Sequence, residues 1–249
     1  MTGGAFSYVT VSRYTMYMPK KQTFATCTFF DMNDAVESRM VKMTEEMARG
    51  FHLIKSHPKS VTFFGSARFE EDNPHYLKAR AIARRIAEEL GYTIVTGGGP
   101  GIMEAGNRGA KEAGGQSVGF TIVLPHEQVT NPYLTAHSDF EYFFSRKLCM
   151  TYAAEAYVYF PGGFGTLDEF FEILTLVQTK KIECVPIVLV GVDFWQPLLD
   201  PIIKACMDAG SIDSTDLGLF TITDDEDEVL RLIAAAPLRT NVPHPDSRA

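Results

Sequence analysis

What most constrains the fold of this chain is its alternation of short apolar runs with amphipathic stretches of roughly ten to fifteen residues. The apolar runs are Val61–Phe64, Tyr92–Val95, Val118–Leu124, Phe140–Phe144, Ala156–Phe160, Pro186–Val190 and Leu219–Thr223. Helical patterns fill the gaps at Tyr76–Leu90, Ile102–Ala113, Arg146–Glu155, Leu167–Lys180, Trp195–Asp208 and Glu226–Ala235. In the first of these, Ile82, Ile86 and Leu90 share one face and Gly91 stops the helix. Short strands joined through helices make crossover units, and crossovers make parallel sheets covered on both sides. The expected fold class is therefore α/β, a doubly wound and mainly parallel sheet with helices on both faces.

The alternation spans roughly residues 51–236 and contains no internal repeat, so one domain accounts for it. Ahead of it, Val36, Met40, Met43, Met47 and Phe51 recur at helical spacing. That leading helix, Asp34–Leu53, is expected to pack on the domain or on a partner chain. With it the domain covers residues 34–236, between an arm at 1–33 and a polar tail at 237–249.

A net charge of −8 disfavours nucleic acid or an anionic membrane as a general partner, so any phosphate must be held by a local site. Cys27, Cys149, Cys184 and Cys206 are too scattered for a zinc site or a disulfide framework. No apolar run approaches the roughly 20 residues of a membrane span, and Met1–Lys21 lacks the order of a signal peptide. A cytoplasmic location is the expectation.

Two glycine-rich turns follow strands and open helices, which places both at the carboxyl rim of the sheet, where such folds bind ligands. The first, Gly97-Gly98-Gly99-Pro100-Gly101, fits neither the dinucleotide fingerprint nor the Walker pattern. It carries more glycine than a tight turn needs, which points to backbone amides facing an anion, with Gly98 and Gly99 as candidates. In the second, Gly162, Gly163, Phe164, Gly165 and Thr166 form a candidate cradle for a monoester phosphate, with the mouth of the next helix behind it.

Thr166-Leu167-Asp168-Glu169 spells a capping box, in which Glu169 only reaches back to the Thr166 amide. The competing reading aims a carboxylate at a ribose. Asp168 and Glu169 point about 100° apart on a helix, so only one can enter the site, and spacing does not choose between them. Phe143-Phe144-Ser145-Arg146-Lys147 supplies two cations at another rim position; an exposed surface pair is the plain alternative. The histidines at 52, 57, 75, 126, 137 and 244 show no metal-ligand spacing, and no serine sits in a nucleophile elbow.

Taken in order, GGGPGIMEAGNRGA, FFSRK and PGGFGTLDE resemble the Lonely Guy (LOG) family of phosphoribohydrolases. Its signature, P-G-G-x-G-T-x-x-E, is matched without departure from Pro161 to Glu169, and the resemblance runs from about Val61 to Trp195. It implies a Rossmann-like fold and cleavage of cytokinin riboside 5′-monophosphates or AMP. Many members carry an old label as lysine decarboxylases. On this resemblance Arg146 and Glu169 fall on the catalytic pair. Lys147, the segment Gly162, Gly163, Phe164, Gly165, Thr166, Leu167 and Asp168, and Thr175 fall on substrate-contacting positions. No cofactor and no metal are implied. The partners implied are a nucleotide substrate and further copies of the chain, as a homodimer or larger even-numbered oligomer with the active site near a subunit interface. A non-catalytic nucleotide or molybdenum-cofactor carrier of the same fold is the alternative. A dinucleotide oxidoreductase and a pyridoxal-phosphate decarboxylase are disfavoured.

Overall fold

The computed structural model describes residues 29–123 and 130–237. Most of the arm, the tail beyond Pro237, Leu124, Cys27, His126 and His244 lie outside the described residues. Chain contacts divide the protein into Met1–Arg39 and Met40–Ala249. Of the first unit, the described residues are the opening turns of α1 (Phe29–Ser56), a helix that begins five residues ahead of the expected Asp34.

The second unit contains a seven-stranded sheet. Its strands are β1 (Ser60–Phe64), β2 (Thr93–Thr96), β3 (Ser117–Ile122), β4 (Ala136–Phe140), β5 (Ala156–Tyr159), β6 (Ile187–Leu189) and β7 (Thr221–Ile222). They lie in the order β4-β3-β2-β1-β5-β6-β7, and every pair is parallel. The connecting helices are α2 (Pro74–Arg85), α3 (Ile102–Glu112), α4 (Phe143–Ala153), α5 (Phe164–Gln178), α6 (Val192–Asp208) and α7 (Glu226–Ala234). The fold is thus the expected doubly wound, Rossmann-like α/β architecture.

Side-chain alternation along the strands separates two cores. Val61 and Phe63 of β1, with Ala156 and Val158 of β5, pack with α2, α3 and α7. Phe64, Tyr157 and Tyr159 face the other way, into α4, α5 and the Trp195 end of α6. Both faces are apolar because both are covered, which is why the central strands read as continuous hydrophobic runs.

One strand expectation fails. Phe140–Phe144 is not a strand: β4 ends at Phe140, and Phe143 and Phe144 open α4. β4 reads Ala-His-Ser-Asp-Phe and sits at the sheet edge with alternate residues exposed, so it lacks the apolar run that marks the interior strands. The aromatic pair that suggested a strand is instead the half-exposed first turn of a helix. From there α4 crosses beneath β3, β2 and β1 to deliver the chain to β5. The strand order reverses between β1 and β5, and the crevice at such a reversal is the usual ligand site of this architecture.

Candidate active site

Three rim segments meet at that crevice: the turn after β2, the first turn of α4 and the turn after β5. The turn after β2 is tied down from within. Thr96 Oγ1 accepts the Gly98 N–H (2.9 Å) and donates to Asn107 Oδ1 (2.6 Å). Asn131 donates its side-chain amide to Gly99 O (3.0 Å) and to Asn107 Oδ1 (2.9 Å), and its backbone N–H to Gly98 O (2.9 Å). Gly98 adopts φ +70°, a conformation that favours glycine. Gly98 and Gly99, both nominated for ligand contact, thus spend three backbone groups on holding the turn.

Gly97, which sequence reasoning passed over, has a different task. A Cβ there would lie 2.1 Å from Arg146 Nη2 and 2.7 Å from Met103 Sδ. The missing side chain is the space the guanidinium occupies. Arg146 reaches this place from α4, is 7% exposed, and donates Nε–H to Phe120 O at 2.7 Å. Burial lowers its pKa and the charge of Glu169 opposes that fall. Lys147, the next residue, bonds Asp168 Oδ2 (2.9 Å) and Glu172 Oε2 (2.7 Å) across to α5. Burial lowers the Lys147 pKa, but those two hydrogen bonds outweigh it and leave the value raised.

α5 starts three residues before the expected Leu167, with Gly163 as its N-cap residue and no side chain capping it. Its first i→i−4 bond runs from Leu167 N–H to Gly163 O (3.1 Å), so the N–H groups of Phe164, Gly165 and Thr166 precede the helical ladder. A Cβ at Gly163 or Gly165 would meet nothing within 4 Å, so this turn faces open space, and Phe164 beside it is 93% exposed. Gly162 is needed for a neighbour: a Cβ there would fall 2.2 Å from Thr166 Oγ1. Among the described residues these three amides have no acceptor, and at the positive end of a helix they suit an anion.

This start removes the capping-box alternative. Thr166 lies inside the first turn and is buried, so it is not the N-cap residue and Glu169 has no cap amide to reach back to. Glu169 is half-buried, and among the described residues no hydrogen-bond or ion-pair partner lies within reach of its carboxylate. Burial, opposed first by Arg146 and then by Lys147, pushes its pKa up to about 7; Asp168 and Glu172 add to the rise. Its backbone carbonyl accepts the Tyr159 hydroxyl at 3.1 Å, which seats this turn of α5 on β5. Asp168 points elsewhere and spends its carboxylate on Lys147. Of the two adjacent acids, Glu169 is therefore the one left without a partner beside Arg146.

The remaining nominated residues are not all gathered by one chain. Thr175 is exposed and donates to Phe171 O of its own helix (2.7 Å). It lies six residues beyond Glu169, about 9 Å along the axis and on another face. Leu167 packs against the core below α5. The crevice beside Glu169, lined by Phe64, Lys147, Thr151, Glu172 and Ile173, holds about 10 Å³, room for roughly one water. A ligand the size of a nucleotide does not fit inside this crevice.

A family model described as "Possible lysine decarboxylase" matches residues 103–233, just over half of the chain. The cytokinin riboside 5′-monophosphate phosphoribohydrolase of Rhodococcoides fascians is 29% identical over 156 residues, which cover 61% of this chain and 77% of that protein. Among solved structures, TM1055 aligns with TM-score 0.53 and 24% identity over 70% of this chain and 98% of that one. The molybdenum cofactor carrier protein of Chlamydomonas reinhardtii aligns with TM-score 0.51 and 24% identity over 70% and 94%. At that identity the two structures bear on fold alone. The extent of the family match, together with relatives named as phosphoribohydrolases, places the protein in this family, the Lonely Guy family of the sequence resemblance, whose model carries the description "Possible lysine decarboxylase".

Proposed function

We propose that the protein hydrolyses the N-glycosidic bond of a nucleoside 5′-monophosphate, with AMP or an N6-modified AMP as substrate, to free base and ribose 5-phosphate. The observation that carries this reading is the unpartnered Glu169 carboxylate beside the buried cation of Arg146, one turn from three free amides. The amides of Phe164, Gly165 and Thr166 hold the phosphate, and that remote binding fixes the sugar. As the C1′–N bond lengthens, positive charge grows on the ribose and negative charge on the base. Ionised Glu169 stabilises the ribose cation and orients the water that adds to C1′, while Arg146 stabilises the departing base or orients the substrate. The water's hydroxyl goes to C1′ and its proton to the base, so no redox partner enters. The name of the R. fascians relative supports a cytokinin ribotide as one candidate substrate.

The experiment is a panel of nucleoside monophosphates with chromatography of the released bases. AMP should be cleaved and adenosine should react at least about 10²-fold more slowly, because it lacks the group that the α5 amides bind. Equal turnover of the two removes the phosphate cradle from the mechanism. Binding of AMP with no base released marks a carrier instead.

Because the carboxylate must be ionised, and burial holds its pKa near 7, the rate should climb with pH. On the acid side kcat should change about tenfold per pH unit, levelling off above the midpoint. A profile still flat down to pH ~5 would mean that Glu169 titrates as an ordinary surface acid.

A homodimer or larger even-numbered oligomer is part of the proposal. Phe164 and the exposed side of Thr175 are then met by a second copy near the site. Light scattering at micromolar concentration should show a mass at least twice 27.7 kDa; a single-chain mass counts against it.

A further inference from the structure

Glu46 of α1 is buried, at 2% exposure, although a carboxylate is costly to remove from water unless its oxygens are matched. Both are matched, and both to the start of α4. Oε2 accepts the backbone N–H of Glu141 at 2.7 Å, and Oε1 accepts the hydroxyl of Ser145. α4 has no cap of its own, since Tyr142 supplies no side-chain bond. Glu46 thus does from another helix what a cap residue does locally, and its charge sits at the positive end of α4.

The contact is one rung of a regular ladder. Lys42 pairs with Glu141 at 3.1 Å, Glu46 bonds Ser145, and Gly50 lies against Cys149, where a Cβ would come within 2.5 Å of Sγ. Each step advances four residues along α1 and along the segment that runs from Glu141 into α4, at a constant separation of 99 in the chain. From Lys42 onward α1 therefore runs beside α4 in the same direction and in one register. The residue after Ser145 is Arg146, whose guanidinium is fixed at its far end by Phe120 O and the gap over Gly97.

We propose that Glu46 is a positioning residue for the reaction centre: it holds the first turn of α4, and through it the Arg146 guanidinium, in its place opposite Glu169. This rests on reading Arg146 and Glu169 as the reacting pair. The charged and titratable groups that act on Glu169 are Arg146 and Lys147 from α4, Asp168 and Glu172 from α5, and the phenol of Tyr159 from β5. Burial raises its titration most, and of these charges Arg146 pulls it down most, so displacing Arg146 should move the Glu169 midpoint upward.

The test is a carbon-13 NMR titration of carboxyl-labelled glutamate in the full chain, with Glu169 assigned by its disappearance in Glu169→Gln. In Glu46→Ala the Glu169 midpoint should rise by about half a unit or more as Arg146 slackens away. In Glu46→Gln it should stay at the parental value, because the amide oxygen can accept the Glu141 N–H while the amide nitrogen donates to Ser145. A folded Glu46→Ala protein with an unmoved midpoint overturns the proposal and leaves Glu46 a structural anchor. Should that variant fail to fold, Ser145→Ala removes one of the two bonds; a smaller rise supports the proposal and no rise overturns it. With AMP, kcat of Glu46→Ala should fall about tenfold or more and that of Glu46→Gln should stay within about threefold, with KM changing less in both. A parent protein that releases no base refutes the hydrolase reading alone, since the titration still decides the role of Glu46.

Discussion

Glu169→Gln should release base at least about 10²-fold more slowly than the parent and yet melt no lower. The first half follows from charge: glutamine fills the same space but cannot stabilise a ribose cation. The second follows from the direction of the pKa shift. The folded protein raises this carboxyl from 4.5 to about 7, so between those values the native state holds a proton that the unfolded chain has lost. Stability supplied by the protonated group is present below about pH 4.5 and is lost as pH rises through 7. Glutamine removes that liability, so the variant should match the parent in acid and melt at or above it at pH 8. The capping-box reading demands the reverse, a loss of stability with turnover intact. Asp168→Asn is the control: its carboxylate is 63% exposed and paired with Lys147, and surface pairs of this kind contribute little, so most activity should survive. Paired melting curves and timed chromatography of base decide the matter, and near-parental turnover by Glu169→Gln would take the residue out of the chemistry.

Gly97→Ala should be nearly as damaging, about 10²-fold in kcat, from a residue to which no substrate role is assigned. The added methyl arrives 2.1 Å from Arg146 Nη2 and 2.7 Å from Met103 Sδ. The methionine can swing away, but the guanidinium cannot move without giving up its bond to Phe120 O. Gly97 does not use a positive φ, so the damage comes through Arg146 rather than through backbone strain. Gly165→Ala makes the contrast. Nothing lies within 4 Å of the new methyl, and replacing a helical glycine should stabilise the free protein by about 0.5–1 kcal/mol. Its penalty should appear only when phosphate must approach the α5 amides, as a raised KM for AMP. Steady-state kinetics on the two variants, side by side, separate a displaced cation from an obstructed cradle. Parental kcat in Gly97→Ala would mean that Arg146 tolerates displacement.

How far these residues could be read beforehand depended on whether the signal was local. Val61–Phe64 and Ala156–Phe160 announced themselves because both faces of a central parallel strand are apolar. β4 did not, because an edge strand reading Ala-His-Ser-Asp-Phe has one wet side and no hydrophobic run. The start of α5 was misplaced because glycine and an exposed phenylalanine read as loop, whereas the first turn of a helix tolerates both. The motif from Pro161 to Glu169 marked the right neighbourhood but left two adjacent acids equivalent. Their difference is tertiary: Lys147 occupies Asp168, and Arg146 stands opposite Glu169. Gly97 and Glu46 carry no local mark at all, since each is defined by a side chain that arrives from α4.

The parallel ladder between α1 and α4 also bears on how the protein is made. A ribosome adding roughly 5–20 residues per second releases α1 and then needs on the order of 5–20 s to deliver the turn that Glu46 grips, 99 residues later. β1 waits a similar time for β5, because Val61 pairs with Ala156 and no strand in the sheet closes on its successor by a hairpin. Through that interval α1 travels on the nascent chain with the partners of Lys42, Glu46 and Gly50 still untranslated. The contact that steadies the arginine helix in the finished protein therefore forms only once more than half of the chain has been made.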